Sequence, residues 1–134
     1  MEITGSQALG FFTVVDYASN TNLQSVNVNL ASGVGVDGVG GTDTLKNIDS
    51  VRGGAGSDTL VGGSLSRSTS GTFFESFRGN AGNDIINGNN GIFGGGSDAI
   101  SDRADYANNT AAQSITVNLA TGIALDGRGG TDTL

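Results

Sequence analysis

The chain has 134 residues, 24 of them glycine, and no proline, cysteine, histidine or tryptophan. Eleven aspartates and two glutamates face six basic residues, leaving a net charge of −7 at neutral pH. Thiol and imidazole chemistry, disulfide cross-links and zinc held by nitrogen or sulfur are thereby excluded, and so few scattered cations make nucleic acid a poor partner. No apolar run approaches a membrane span, and no charged-then-apolar N-terminal signal precedes a cleavage site. The length suits a single domain, residues 1–134. With aromatics at 6%, a thin core is feasible and a thick one is not.

In chain order, no segment carries a helical period, and short strand signals alternate with glycine, asparagine and serine. Phe11-Phe12-Thr13-Val14-Val15 opens as an apolar strand. Val26-Asn27-Val28-Asn29-Leu30 alternates, placing Val26, Val28 and Leu30 on one face, and Ile115, Val117 and Leu119 repeat the pattern. Leu45, Ile48 and Val51 recur every third residue, as in a narrow coil whose short faces each turn one side chain inward. Leu60, Ile86 and Ile100 fill the matching inward slots. Residues 64–77 break the rhythm: a serine-rich run without aspartate leads into Phe73, Phe74 and Phe77, and reads as a loop insertion over the core.

Two stretches share one pattern. Gly53-Gly54-Ala55-Gly56-Ser57-Asp58-Thr59-Leu60-Val61 and Gly79-Asn80-Ala81-Gly82-Asn83-Asp84-Ile85-Ile86-Asn87 both fit G-[GN]-x-G-x-D-x-[LI]-x. Glycines allow a turn with inward carbonyls, the aspartate adds an anionic oxygen, and the apolar residue two places on enters a core. Oxygen donors of this kind suit Ca²⁺ better than a transition metal. Shorter versions end at Asp43-Thr44-Leu45, Asp98-Ala99-Ile100 and Asp132-Thr133-Leu134. These residues resemble the RTX (hemolysin-type) calcium-binding repeats.

The resemblance implies an all-β, right-handed parallel β-solenoid (β-roll or β-helix), here with irregular coils because the aspartates are unevenly spaced. It implies Ca²⁺ held between stacked turns by the carboxylates of Asp58 and Asp84 with carbonyls of Gly54, Gly56, Asn80 and Gly82. Asp43, Asp98 and Asp132 stand in the partial frames, and Asp37 and Asp126 open glycine loops that either wrap a cation or close as solvated turns. Asp16 and Asp105 look like turn-capping residues, and Asp49 and Asp102 like surface. Export by a type I route to the outside of the cell is also implied.

A larger period overlies these turns. Residues 16–45 and 105–134 align without a gap at an offset of 89 (105 against 16), with 20 of 30 positions identical. The chain thus holds about one and a half copies of a module, and reads as a fragment whose neighbouring repeats lie in a longer parent chain. With its recurrent aspartates in glycine turns rather than in a groove, it reads as a structural module and not an enzyme. The alternative is a polysaccharide- or cell-surface-binding module of the adhesin kind, binding through its lateral face, where Tyr17 and Tyr106, one module apart, are the candidate contacts, or through the 64–77 insertion.

Overall fold

A computed structural model describes residues 1–5, 12–63, 75–89 and 102–134. Among these the chain is strand and turn, without a helix. The strands are β1 (Glu2–Thr4), β2 (Val14–Asp16), β3 (Asn27–Asn29), β4 (Val34–Val36), β5 (Thr42–Lys46), β6 (Ser50–Arg52) and β7 (Thr59–Val61). They continue as β8 (Ser76–Arg78), β9 (Ile85–Asn87), β10 (Arg103–Ala104), β11 (Thr116–Asn118), β12 (Ile123–Leu125) and β13 (Thr131–Thr133).

They form two sheets. One has nine strands in the order β1-β5-β4-β3-β7-β9-β13-β12-β11, and the other has four, β10-β8-β6-β2. The four-stranded sheet is parallel throughout. The nine-stranded sheet is mixed: β1–β5, β3–β7, β7–β9 and β9–β13 are parallel, whereas β3–β4–β5 and β11–β12–β13 are antiparallel meanders. This overturns the expected right-handed parallel solenoid.

The reason lies in turns that reverse the chain instead of bending it round a corner. After β3, Gly33 N–H closes on Leu30 C=O at 3.2 Å, Asn29 Oδ1 accepts the Ser32 N–H, and Gly33 takes φ 70°. After β4, Asp37 Oδ1 accepts the N–H groups of Val39 and Gly41, with Gly38 at φ 75° and Gly40 at φ 104°. The second module repeats both reversals at Gly122 (φ 67°) and at Gly127 and Gly129 (φ 74° and 99°).

The core lies between the sheets. Val15, Val51 and Phe77 come from the four-stranded sheet, and Val28, Leu45, Leu60 and Ile86 from the nine-stranded one. Phe77 is wholly buried on β8, so the stretch expected as a loop through residue 77 has become strand by Ser76; Phe73, Phe74 and Ile100 lie outside the described residues. Two core positions of equal sequence differ in surroundings. Val28 is covered by β7, pairing with Leu60, whereas Val117 is 46% exposed on the last strand of the sheet.

Burial should therefore separate the two modules in a way their sequences do not. Val28→Ala removes buried methyl groups and is expected to cost roughly 2 kcal/mol. Val117→Ala, its repeat mate, should cost under about 0.5 kcal/mol. Urea melts of the two variants check this, and equal losses would mean that β11 is covered in solution.

Candidate functional site

The residues singled out by the nonapeptide pattern meet along one line of the nine-stranded sheet. Parallel register sets Val26, Asp58, Asp84 and Asp132 level with one another, each one residue before its paired position on β3, β7, β9 or within β13. The three aspartates are buried to within 1% exposure. Each carboxylate accepts the backbone N–H of the level residue next door: Val26 N–H donates to Asp58 Oδ1 at 2.9 Å, Asp58 N–H to Asp84 Oδ1 at 2.8 Å, and Asp84 N–H to Asp132 Oδ1 at 3.0 Å. Side chains thus carry the strand-to-strand ladder past the point where the turns splay the backbone.

The second carboxylate oxygens differ. Asp58 Oδ2 accepts the Gly54 N–H at 2.7 Å, which closes its own turn. Asp132 Oδ2 accepts the Tyr106 O–H at 2.7 Å. Asp84 Oδ2 is buried without a hydrogen-bond partner. The same is true of Asp126 Oδ2, although Asp126 Oδ1 accepts the N–H groups of Arg128 and Gly130 at 2.8 Å. Asp126 is fully buried because the turn it opens lies on the turn before β9. A Cβ on Gly130 would stand 1.8 Å from the Gly82 carbonyl oxygen and 2.8 Å from Asp126 Oδ2, so only glycine lets those two oxygens share one place. Gly79 likewise leaves room for Asp84 Oδ2, which would lie 1.8 Å from an added Cβ.

Charge crowds this region. Burial, followed by the charges of Asp132, Asp58 and Asp126, pushes the Asp84 carboxyl from 3.8 up to about 7. Burial also raises the carboxyls of Asp58 and Asp132. Holding Asp84 ionised in the folded chain near neutral pH therefore costs roughly 4 kcal/mol relative to an ordinary carboxylate.

The equivalent place in the first module is open. Asp37 Oδ1 has the same turn contacts as Asp126, but Asp37 is half-exposed, and among the described residues no second glycine turn packs on it. A cleft of about 440 Å³, lined by Met1, Asp16, Tyr17, Asn20, Asp37 and Asp43 among others, occupies that position. Asp43 Oδ2 accepts the Tyr17 O–H at 3.0 Å, as Asp132 does from Tyr106, and Asp43 Oδ1 lies 3.4 Å from the Met1 ammonium.

Asp58 and Asp132 lie one strand to either side of Asp84, each joined to it by one N–H to carboxylate bond, and Asp126 lies in the loop that packs on the Gly82 carbonyl. Asp37 and Asp43 lie in the first module, apart from that group, and Asp98 lies outside the described residues. Gly54 spends its N–H on Asp58 and its carbonyl on the Ala81 N–H at 3.4 Å. The Gly56 carbonyl oxygen would lie 2.3 Å from a Cβ on Gly82, which places it between stacked turns. Asn80, at φ 79°, turns its side-chain amide to the Gly53 carbonyl at 2.6 Å. Asp16 and Asp105 close turns onto Ala18 and Ala107 and pair with Arg52 and Arg78.

Asp49, read as surface, instead accepts the Thr13 N–H at 2.8 Å and anchors the start of β2. Tyr17 is buried, with its hydroxyl committed to Asp43, so it offers no exposed platform. Glu75, which the sequence reading passed over, accepts the Gly63 N–H on both carboxylate oxygens at 3.0 and 2.8 Å. Its only sequence signal is that it is one of two glutamates in an aspartate-rich chain.

Among the described residues, no three acidic side chains converge as a ready-made metal cage. What the arrangement offers is two unsatisfied anionic oxygens beside backbone carbonyls. No protein-family model matches the chain, and neither a curated protein nor a solved structure matches it. No helix among the described residues is long and apolar enough to cross a membrane.

Metal-free stability should depend on pH with a definite sign. Asp84, Asp58 and Asp132 titrate higher in the folded chain than in the unfolded one, so the folded state binds more protons above the ordinary carboxylate range. Stability from these groups is full below about pH 4 and falls as the pH rises, for Asp84 through about 7. Asp37, lowered by the N–H groups of Val39 and Gly41, and Asp105, lowered against its partial burial by the Ala107 N–H and then by Arg78, act in the opposite sense below that window. Thermal melts in chelator are expected to show a midpoint several degrees higher at pH 5 than at pH 8. A midpoint that rises or stays level over that range would contradict the burial of these carboxylates.

Proposed function

We propose that this chain is a calcium-binding structural module of a secreted protein, of the RTX repeat type its nonapeptides resemble, stabilised when Ca²⁺ binds outside the cell. The observation that carries the reading is the pair of buried carboxylate oxygens without hydrogen-bond partners, Asp84 Oδ2 and Asp126 Oδ2, set in glycine turns that also bring in the Gly82 carbonyl. An unsatisfied buried oxygen costs about 1–3 kcal/mol, and more when charged. A hard cation with oxygen ligands removes that cost at an aspartate it binds. Calcium suits flexible carbonyl and carboxylate donors better than Mg²⁺, which demands a tight octahedron and gives up water reluctantly.

Binding to the folded chain alone adds RT ln(1 + [Ca²⁺]/Kd), about 2.7 kcal/mol per site at a hundredfold excess. Against a core of this thinness that is a large fraction of the stability. The raised carboxyls give the same reading a proton signature: calcium displaces protons from Asp84, so binding strengthens as the pH rises. Tyr17, buried and committed to Asp43, does not present the exposed ring that the glycan-binding reading would use.

Calorimetric titration with Ca²⁺, followed by melts with either ion, tests the reading. Calcium at millimolar concentration should raise the midpoint by several degrees at pH 8 and by less at pH 5, with Mg²⁺ far weaker. Equal effects of both ions would mean charge screening instead of a shaped site. Asp84→Asn keeps an acceptor for the Asp58 N–H while removing the charge. It should stabilise the chain in chelator at pH 8 and abolish most of the calcium gain. Glu2→Gln, on an exposed ion pair, should leave both unchanged. If Asp84→Asn retains the full calcium gain, the metal binds elsewhere.

A further inference from the structure

We propose that the edge of β11 that no described strand covers is a docking site for an extended segment of the aspartate-turn type, G-G-x-G-x-D-x-[LI]-x, entering as a parallel strand. The molecule contains its own template for this contact. The meander β3–β4–β5 and the meander β11–β12–β13 share sequence, register and turns. In the first, β3 has a partner on its outer side, β7, whose residues follow the turn at 53–58. In the second, β11 is the last strand of its sheet among the described residues.

The contact on β3 is specific. Asp58 Oδ1 accepts the Val26 N–H at 2.9 Å, Thr59 N–H donates to the Val26 carbonyl at 2.9 Å, and Leu30 N–H donates to the Val61 carbonyl at 2.9 Å. Leu60 pairs directly with Val28, and both are fully buried. The counterparts of Val26, Val28 and Leu30 are Ile115, Val117 and Leu119, on the side of β11 away from β12. They are exposed by 38%, 46% and 79%, against 1% and 0% for Val26 and Val28. A row of apolar side chains beside unpaired strand edge is what an added strand recognises: the backbone supplies hydrogen bonds, and alternate side chains supply selectivity.

The template also dictates what the occupant must carry. Its leucine or isoleucine belongs over Val117, and its aspartate, two residues earlier, places a carboxylate on the Ile115 N–H. The glycines before that aspartate are required because an added Cβ on Gly56 would meet Ser25 within 2.8–3.1 Å, and Ser114 is its repeat mate. This site is set by the repeat geometry and is independent of any metal.

A synthetic peptide with the sequence of residues 46–63 is the probe, added to the whole chain in millimolar calcium. Amide hydrogen exchange is read residue by residue. Saturating peptide is expected to slow exchange at Ile115, Val117 and Leu119 at least tenfold. The same peptide with Leu60→Asp should produce no slowing, and the chain variant Val117→Asp, at an exposed position, should lose the response to the unaltered peptide. Equal protection by the Leu60→Asp peptide, or protection confined to other strands, would overturn the proposal. Protection of those three amides that grows with chain concentration in the absence of peptide would also overturn it, by assigning the edge to a second copy.

Discussion

Carboxylates that accept backbone N–H groups from the adjacent strand are the interaction on which this fold rests. Val26, Asp58, Asp84 and Asp132 lie level, and three carboxylate bonds join them. A charge-assisted bond of this kind is worth about 1.5–3 kcal/mol, which matters in a chain whose core is one side chain deep on each strand. The same bonds demand that the carboxylates be buried. Buried charge is costly unless compensated, and here compensation is uneven: Asp58 and Asp132 use both oxygens, whereas Asp84 and Asp126 each use one. The element that holds the strands together is therefore also the one that leaves a demand for a cation or a proton.

Glycine makes this arrangement sterically feasible at particular positions. At Gly130 and Gly79 a methyl group would collide with the oxygens that gather there. At Gly38 and Gly127 a positive φ reverses the chain into its meander. These are separate duties. One clears space between stacked turns, and the other sets the direction of the following strand.

That distinction explains what could be read from sequence and what could not. The all-β character followed from short alternating strands, and the inward positions of Leu45, Leu60 and Ile86 followed from the pattern of apolar residues after each aspartate. Strand direction did not follow. Asp37-Gly38-Val39-Gly40-Gly41 and Gly53-Gly54-Ala55-Gly56-Ser57 look alike as glycine-rich turns, yet the first reverses the chain between antiparallel strands and the second carries it from one sheet to the other. The difference lies in Asp37 Oδ1 taking two N–H groups of its own turn, while Asp58 takes one from its turn and one from the next strand. Composition cannot express which N–H a carboxylate will accept. Nor could it separate Asp37 from Asp126, or Val28 from Val117. Each pair shares its local sequence, and only the presence or absence of a packed neighbour decides whether it is buried.

Repetition with unequal surroundings gives the two modules different chemistry from nearly the same residues. The loop at 126–130 sits on the turn that precedes β9, which buries Asp126 and leaves its Oδ2 unsatisfied; the loop at 37–41 faces a cleft, and Asp37 remains in contact with solvent. Similarly, Tyr17 and Tyr106 make the same bond to an aspartate, but only Asp132 also receives an N–H from a neighbouring aspartate. A buried carboxylate oxygen without a partner, Asp126 Oδ2, therefore arises where a glycine turn of one kind stacks upon an aspartate loop of the other, and not from either motif alone. Counting motifs overestimates such places, because each needs two segments in register. In this chain the described residues bring one such stack together, where Gly130 packs on the Gly82 carbonyl beside the buried and unsatisfied Asp126 Oδ2.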